Sequence, residues 1–175
     1  DDKTIDLFES QYVVPHGVSY NSYLILDEKV ALMDTVDTRG VEQWEKNLLA
    51  ALDGRKVDYL VVSHLEPDHA GSIGRLVELF PEVTLVGNAK TFQMLPQFFD
   101  ELPVDENHKI TVAEGESLSL GTHTLNFYMA PMVHWPEVMV TYESSEKILF
   151  SADGFGKFGA LDYEDPEGWA CEARR

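Results

Sequence analysis

Apolar positions along the chain fall into two rhythms. "YNSYLIL" (20–26) and "KVALMDT" (29–35) are short apolar runs flanking the polar pair Asp27 and Glu28, which predicts two strands joined by a tight turn. In "GVEQWEKNLLAAL" (40–52), Val41, Trp44, Leu48, Leu49 and Leu52 recur at helical spacing instead, predicting an amphipathic helix capped by Thr38. "VDYLVVS" (57–63) is apolar without strict alternation and reads as a strand covered on both faces. A helix over "GSIGRLVELF" (71–80), stopped by Pro81, is followed by a strand over "VTLVG" (83–87). "NAKTFQMLPQFF" (88–99) predicts a helix opened by Asn88 and kinked or broken at Pro96. Short strands then take over: "KITVAE" (109–114), "HTLNFYMAP" (123–131), "EVMVTYES" (137–144) and "KILFSAD" (147–153). With no long Gly/Ser linker, low-complexity tract or internal repeat, the pattern predicts one α/β domain over residues 1–175, its helices packed on mixed sheets.

Composition narrows the partners. The 175 residues are 44% hydrophobic, enough for one sizeable core. Thirteen Lys and Arg face 31 Asp and Glu, a net charge of −18, which opposes attraction to nucleic acid or to an anionic membrane. Cys171 is the only cysteine, so no intrachain disulfide can form, and a reducing, cytoplasmic setting is expected. It has no basic neighbour to activate it and reads as inert. No apolar stretch is long enough to span a bilayer, and no signal peptide is visible, although the chain opens on "DDKTIDLF" without an initiator Met.

The candidate chemistry lies where strands end. "VVSHLEPDHAGS" (61–72) runs off a buried strand into His64, Glu66, Asp68 and His69; His134 follows "FYMAPMV", and Asp153 closes "KILFSAD". Metal-capable side chains at three separate strand ends are the trace of a site built on loops at one sheet edge. Imidazole and carboxylate without thiolate suit iron, zinc or manganese rather than a sulfur-ligated structural zinc. Glu66 and Asp68 crowd like charges that a cation would reconcile, and Asp153 has two oxygens with which to bridge a metal pair. The plainer reading makes Asp68 a helix cap and Glu66 a charge at a helix start, but it accounts for neither His64 nor the joint appearance of His134 and Asp153. His16, His108 and His123 sit in polar, turn-like surroundings and read as surface residues. "GFGKFG" (154–159) matches a dinucleotide-binding loop in letters only, since Pro166 and Gly168 interrupt the helix that should follow and the acidic surroundings would repel a pyrophosphate.

Taken together, H-x-E-x-D-H after an apolar strand, "PMVHWPE", "ILFSADGFGKFG", "YNSYLILDEKVALMDTVD" and "WACEARR" resemble the metallo-β-lactamase-like domain of flavodiiron proteins, the A-type flavoproteins. The resemblance implies an αββα sandwich, incomplete in this chain. It implies that His64, Glu66 and His134 hold one iron, Asp68 a second, and Asp153 both. His69 is a ligand in some relatives and turned away in others. Glu9 matches a position near the metal pocket where some relatives have His. The implied reaction is reduction of O2 to water or NO to N2O at two irons, refilled by FMN from a C-terminal flavodoxin-like domain. A head-to-tail homodimer and an electron donor such as rubredoxin or a flavin reductase belong to the same expectation. On this resemblance the chain is a fragment, stopping before a further histidine ligand, the last elements of the lactamase-like fold and the flavin domain, with weak metal binding at the second position. A zinc or manganese hydrolase is the alternative from the same fold, and an acidic interaction module with vestigial metal residues is a third reading.

Overall fold

Val30, Ala31, Leu32 and Met33 are consecutive apolar residues, so a strand made of them is stable only with both faces covered. The computed structural model, which describes residues 1–8, 10–100 and 102–160, places this segment inside a five-stranded sheet. Two short strands, β1 (Leu7–Phe8) and β2 (Tyr12–Val13), form an antiparallel ribbon before it. In the main sheet β3 (Tyr23–Leu26) pairs antiparallel with β4 (Val30–Met33), and β5 (Tyr59–Val61), β6 (Thr84–Gly87) and β7 (Lys109–Thr111) add in parallel. A second, antiparallel sheet has the order β11-β10-β9-β8, from β8 (Ser117–Ser119), β9 (Thr124–Met129), β10 (Met139–Glu143) and β11 (Ile148–Phe150). The helices are α1 (Val41–Leu52), α2 (Pro67–Ala70), α3 (Ile73–Leu79) and α4 (Ala89–Met94).

Strand alternation sorts the core into two layers. Val30 and Leu32 point with Leu60 and Val62 toward Trp44, Leu48, Ile73 and Leu76 of the helices. Ala31 and Met33 point with Val61 and Val86 toward Leu125, Phe127 and Met139 of the second sheet. The described residues therefore form three layers, helices on sheet on sheet, as expected for mixed sheets with packed helices. No helix among them is long and apolar enough to cross a membrane.

Local chemistry departs from the sequence reading in places. Thr38 does not cap α1: Asp37 accepts from the Arg39 backbone N–H at 2.8 Å and opens a 3-10 turn, Thr38–Gly40, that leads into the helix. The helix expected over 71–80 is present as α3, starting at Ile73, and an unpredicted turn, α2, precedes it, the two divided at Gly71 and Ser72. A Cβ on Gly71 would stand 2.6 Å from the Pro67 carbonyl and 3.2 Å from both the Thr38 nitrogen and the Val36 oxygen, so this close packing needs glycine. The Pro96 break is present, with α4 ending at Met94 and a 3-10 turn over Leu95–Gln97. β8 went unpredicted because Ser-Leu-Ser has one apolar residue, and its pairing with β9 decides its state. Glu9, Cys171, Pro166 and Gly168 lie outside the described residues.

Candidate metal centre

Parallel strands present their carboxyl ends at a common edge, where α/β folds place ligands. β4 and β5 are neighbours in parallel register, so Asp34, just past β4, and Ser63 and His64, just past β5, arrive side by side. The Asp34 carboxylate accepts from the Ser63 backbone N–H at 2.7 Å, tying the two strand ends together. Next, Pro67 opens the single-turn α2, and Thr35 fixes that turn by donating to the His69 carbonyl from its backbone N–H (2.7 Å) and its hydroxyl (2.9 Å). The second sheet brings the other two groups: His134 from the loop after β9 and Asp153 from the turn after β11.

All six candidate ligands converge. His64, Glu66, His134 and Asp153 place donor atoms within 4.8 Å of one another, and Asp68, His69 and Asp153 form a second such group. In the first, His64 Nε2 lies 3.0 Å from Glu66 Oε2 and 3.2 Å from His134 Nε2. His134 Nε2 lies 2.9 Å from Glu66 Oε2 and 3.1 Å from Asp153 Oδ2. In the second, His69 Nε2 lies 2.8 Å from Asp153 Oδ1 and 3.7 Å from Asp68 Oδ2. The structure thus turns His69 toward the cluster. Asp153 is common to both groups through its two oxygens.

Two further carboxylates stand behind the histidines. Glu137, fully buried, has Oε1 2.8 Å from His64 Nδ1, and Asp34 Oδ2 lies 3.3 Å from His69 Nδ1. A carboxylate accepts, so each ring donates from Nδ1 and leaves Nε2 facing the cluster. The sequence reading named neither residue. Asp34 carried a usable signal, since it ends a strand next to the one that ends in His64. Glu137 carried none, because its partner is 73 residues away.

The donor set fits cations. Metal–donor bonds of about 2.1 Å put neighbouring donors roughly 3.0 to 3.4 Å apart, close to the 2.9 to 3.4 Å between neighbouring donor atoms of the first group. Asp68 Oδ1 is buried with no hydrogen-bond partner among the described residues, and Asp153 Oδ2 has only the ion-pair contacts with His64 and His134, at 3.4 and 3.1 Å. Neither Asp68 nor Glu66 makes a side-chain cap bond at the start of α2, so the capping explanation fails for this turn. Without metal, protons take the cations' role. Burial opposes charging of His64, but hydrogen bonds to Glu137 and Glu66 push it up to about 9. Against the same desolvation, Asp153 and Asp34 push His69 up to about 11. Burial raises Asp68 to about 6. Asp153 resists its own desolvation and is held below the ordinary carboxylate range by His69.

Access is one-sided. His64 is fully buried, whereas the His134 side chain is 53% exposed, so the cluster opens to solvent past His134. The Trp135 ring meets His64 edge-on at 5.1 Å and packs on Phe98 at 5.7 Å, walling that side with apolar surface. Elsewhere, His108 pairs with Asp105 at 3.0 Å on the surface, whereas the exposed His16 lines the same open cavity as Glu66, Asp68, His69 and Asp153. The half-buried His123 faces Glu143 at 3.3 Å. "GFGKFG" forms successive tight turns, with Gly154 and Gly156 donating to Ser151 and Asp153 carbonyls at 2.9 Å each, and no helix starts there among the described residues.

Known proteins resemble this chain in sequence and in fold. The family model described as "ODP family beta lactamase" matches residues 18–167. The chain is 41% identical over 145 residues to a protein named nitric oxide reductase from Moorella thermoacetica, covering 81% of this chain and 35% of that one. It is 38% identical over 152 residues to rubredoxin-oxygen oxidoreductase from Megalodesulfovibrio gigas, covering 86% of this chain and 37% of that one. The crystal structure of the flavodiiron protein from Giardia intestinalis superposes with a TM-score of 0.84 and 31% identity, over 99% of this chain and 41% of that one. The chain therefore spans well under half the length of these relatives.

Proposed function

Because the chain belongs to the ODP family of β-lactamase-like domains, we propose that it is the metal-binding part of a di-iron oxidoreductase that reduces O2 to water or NO to N2O with electrons delivered through FMN. The observation that carries this reading is the Glu66 carboxylate standing with two imidazoles in the first donor group, joined through Asp153 to the second. A carboxylate at that position makes the site harder and more negative, favouring iron over zinc. His64, Glu66, His134 and Asp153 would hold one ion and Asp68, His69 and Asp153 the other. A pair of irons held by these residues would supply the reducing electrons for a diatomic gas. The chain's own side chains do the rest. Glu137 and Asp34 fix the imidazole rings, Trp135 screens one flank from water, and the gap past His134 admits a molecule too small to need further recognition.

FMN is placed on a flavodoxin-like domain of the same protein, with rubredoxin or a flavin reductase as donor and a head-to-tail homodimer bringing flavin to metal. Relatives named flavorubredoxin and diflavin flavoprotein support the flavin. The net charge of −18 argues against nucleic acid or an anionic membrane as partner, and the single cysteine suits a reducing, cytoplasmic compartment. The test is metal analysis of the intact protein purified without oxygen, together with O2 and NO uptake by the reduced protein. Two irons per chain and gas uptake are expected. Stoichiometric zinc, no gas uptake and hydrolysis of an ester, amide or phosphodiester would overturn the reading in favour of a hydrolase.

A further inference from the structure

We infer that Glu137 is a positioning residue for the first donor group, its carboxylate fixing the His64 ring and strengthening Nε2 as a donor; this rests on the metal-centre reading above. One oxygen, Oε1, accepts from two consecutive residues, from His64 Nδ1 at 2.8 Å and from the Leu65 backbone N–H at 2.9 Å. The residue is itself held from behind. Its backbone carbonyl accepts from Asn88 Nδ2 at 2.6 Å, while Asn88 Oδ1 accepts from the Lys90 and Thr91 backbone N–H groups at 2.9 Å and so caps α4. Two residues on, the Met139 backbone N–H donates to the Ser63 carbonyl at 3.1 Å. Glu137 is thus clamped between a helix start and the strand end that carries its histidine.

Satisfying Leu65 alone requires only a neutral acceptor, and a fully buried carboxylate is a costly way to provide one. Oε2 has no hydrogen-bond partner among the described residues, so the second oxygen does nothing to offset that cost. A negative charge is useful where an imidazole donates from Nδ1 while its opposite nitrogen binds a cation, since the carboxylate makes that nitrogen more basic. The segment 131–137 then has two roles: His134 reaches into the cluster, and Glu137 aims the histidine from the other sheet.

In the intact protein, Glu137→Gln keeps an acceptor at the Oε1 position and removes the charge, and Glu137→Met removes the acceptor too. Equilibrium dialysis against Fe2+ without oxygen is expected to show first-group affinity about 10-fold weaker in Glu137→Gln and about 100-fold weaker in Glu137→Met. In proton NMR of the Fe2+-loaded protein, the exchangeable His64 Nδ1–H resonance, identified by its loss in His64→Ala, is expected to shift and to exchange faster with water in Glu137→Gln. Wild-type Fe2+ affinity in Glu137→Gln would overturn the inference and leave the metal centre standing, whatever becomes of the Met variant. Fe2+ binding untouched by His64→Ala would overturn the metal-centre reading itself.

Discussion

Asp153 belongs to both donor groups, and Asp68 to one. Removing either carboxylate should therefore have unequal effects. Asp153→Ala is expected to strip most of both metals from the intact protein, and Asp68→Ala about one of the two, as read by iron analysis against protein concentration. Equal losses would show that Asp153 does not bridge. Glu66 allows a test of metal choice. Glu66→His replaces an anionic oxygen with a neutral nitrogen, so competition between Fe2+ and Zn2+ is expected to move about tenfold toward zinc. An unchanged preference would mean that Glu66 touches no metal.

The elements that carry these residues owe their stability to how their ends are satisfied as much as to their apolar faces. At the end of β10, Glu143 Oε1 accepts from the Ser145 backbone N–H at 2.8 Å and Oε2 from the Glu146 N–H at 2.6 Å, closing the turn into β11 and Asp153. Burial opposes its ionisation, but these bonds win and hold the carboxyl at about 2. Because the folded-state value lies below the unfolded one, the stabilisation is complete above an ordinary glutamate's titration range and is lost as pH falls toward 2. Glu143→Gln turns an amide NH2 against one backbone N–H and is expected to cost about 2 kcal/mol at pH 7. Urea unfolding should show that difference shrinking by pH 3, and a pH-independent difference would refute the assignment.

β3 to β7, β9 to β11 and α1 were legible because apolar periodicity is local, and His64, Glu66, Asp68, His134 and Asp153 stood out as candidates because each follows an apolar strand within a few residues. The Thr38 cap was misread because Asp37, one residue earlier, also caps and holds Arg39 at 3.0 Å as well. The division at Gly71 was invisible because it answers to Val36 and Thr38, far along the chain. Glu137 and β8 were hidden for a related reason: what defines them is a partner brought by folding.

For the molecule as a whole, the two donor groups draw on both sheets. His64, Glu66, Asp68 and His69 follow β5, and His134 and Asp153 follow β9 and β11. Anything that binds this arrangement and not the unfolded chain stabilises the packing of one sheet on the other. Chelating the metals from the intact protein is expected to lower the thermal midpoint by several degrees and to restore it on adding Fe2+ back, as followed by circular dichroism. No change on chelation would mean that metal and sheet packing are independent.

The same arrangement sets a clock. An ion held by donors from both sheets would have to shed donors on the loops after β9 and β11 as well as on the loop after β5, so its escape past His134 is coupled to the opening of these loops. Exchange of isotopically labelled iron should then be slow, and it should quicken with temperature as steeply as the opening does. The lifetime of the loaded centre would then depend on how often these loops move apart as well as on the strength of each bond to the metal.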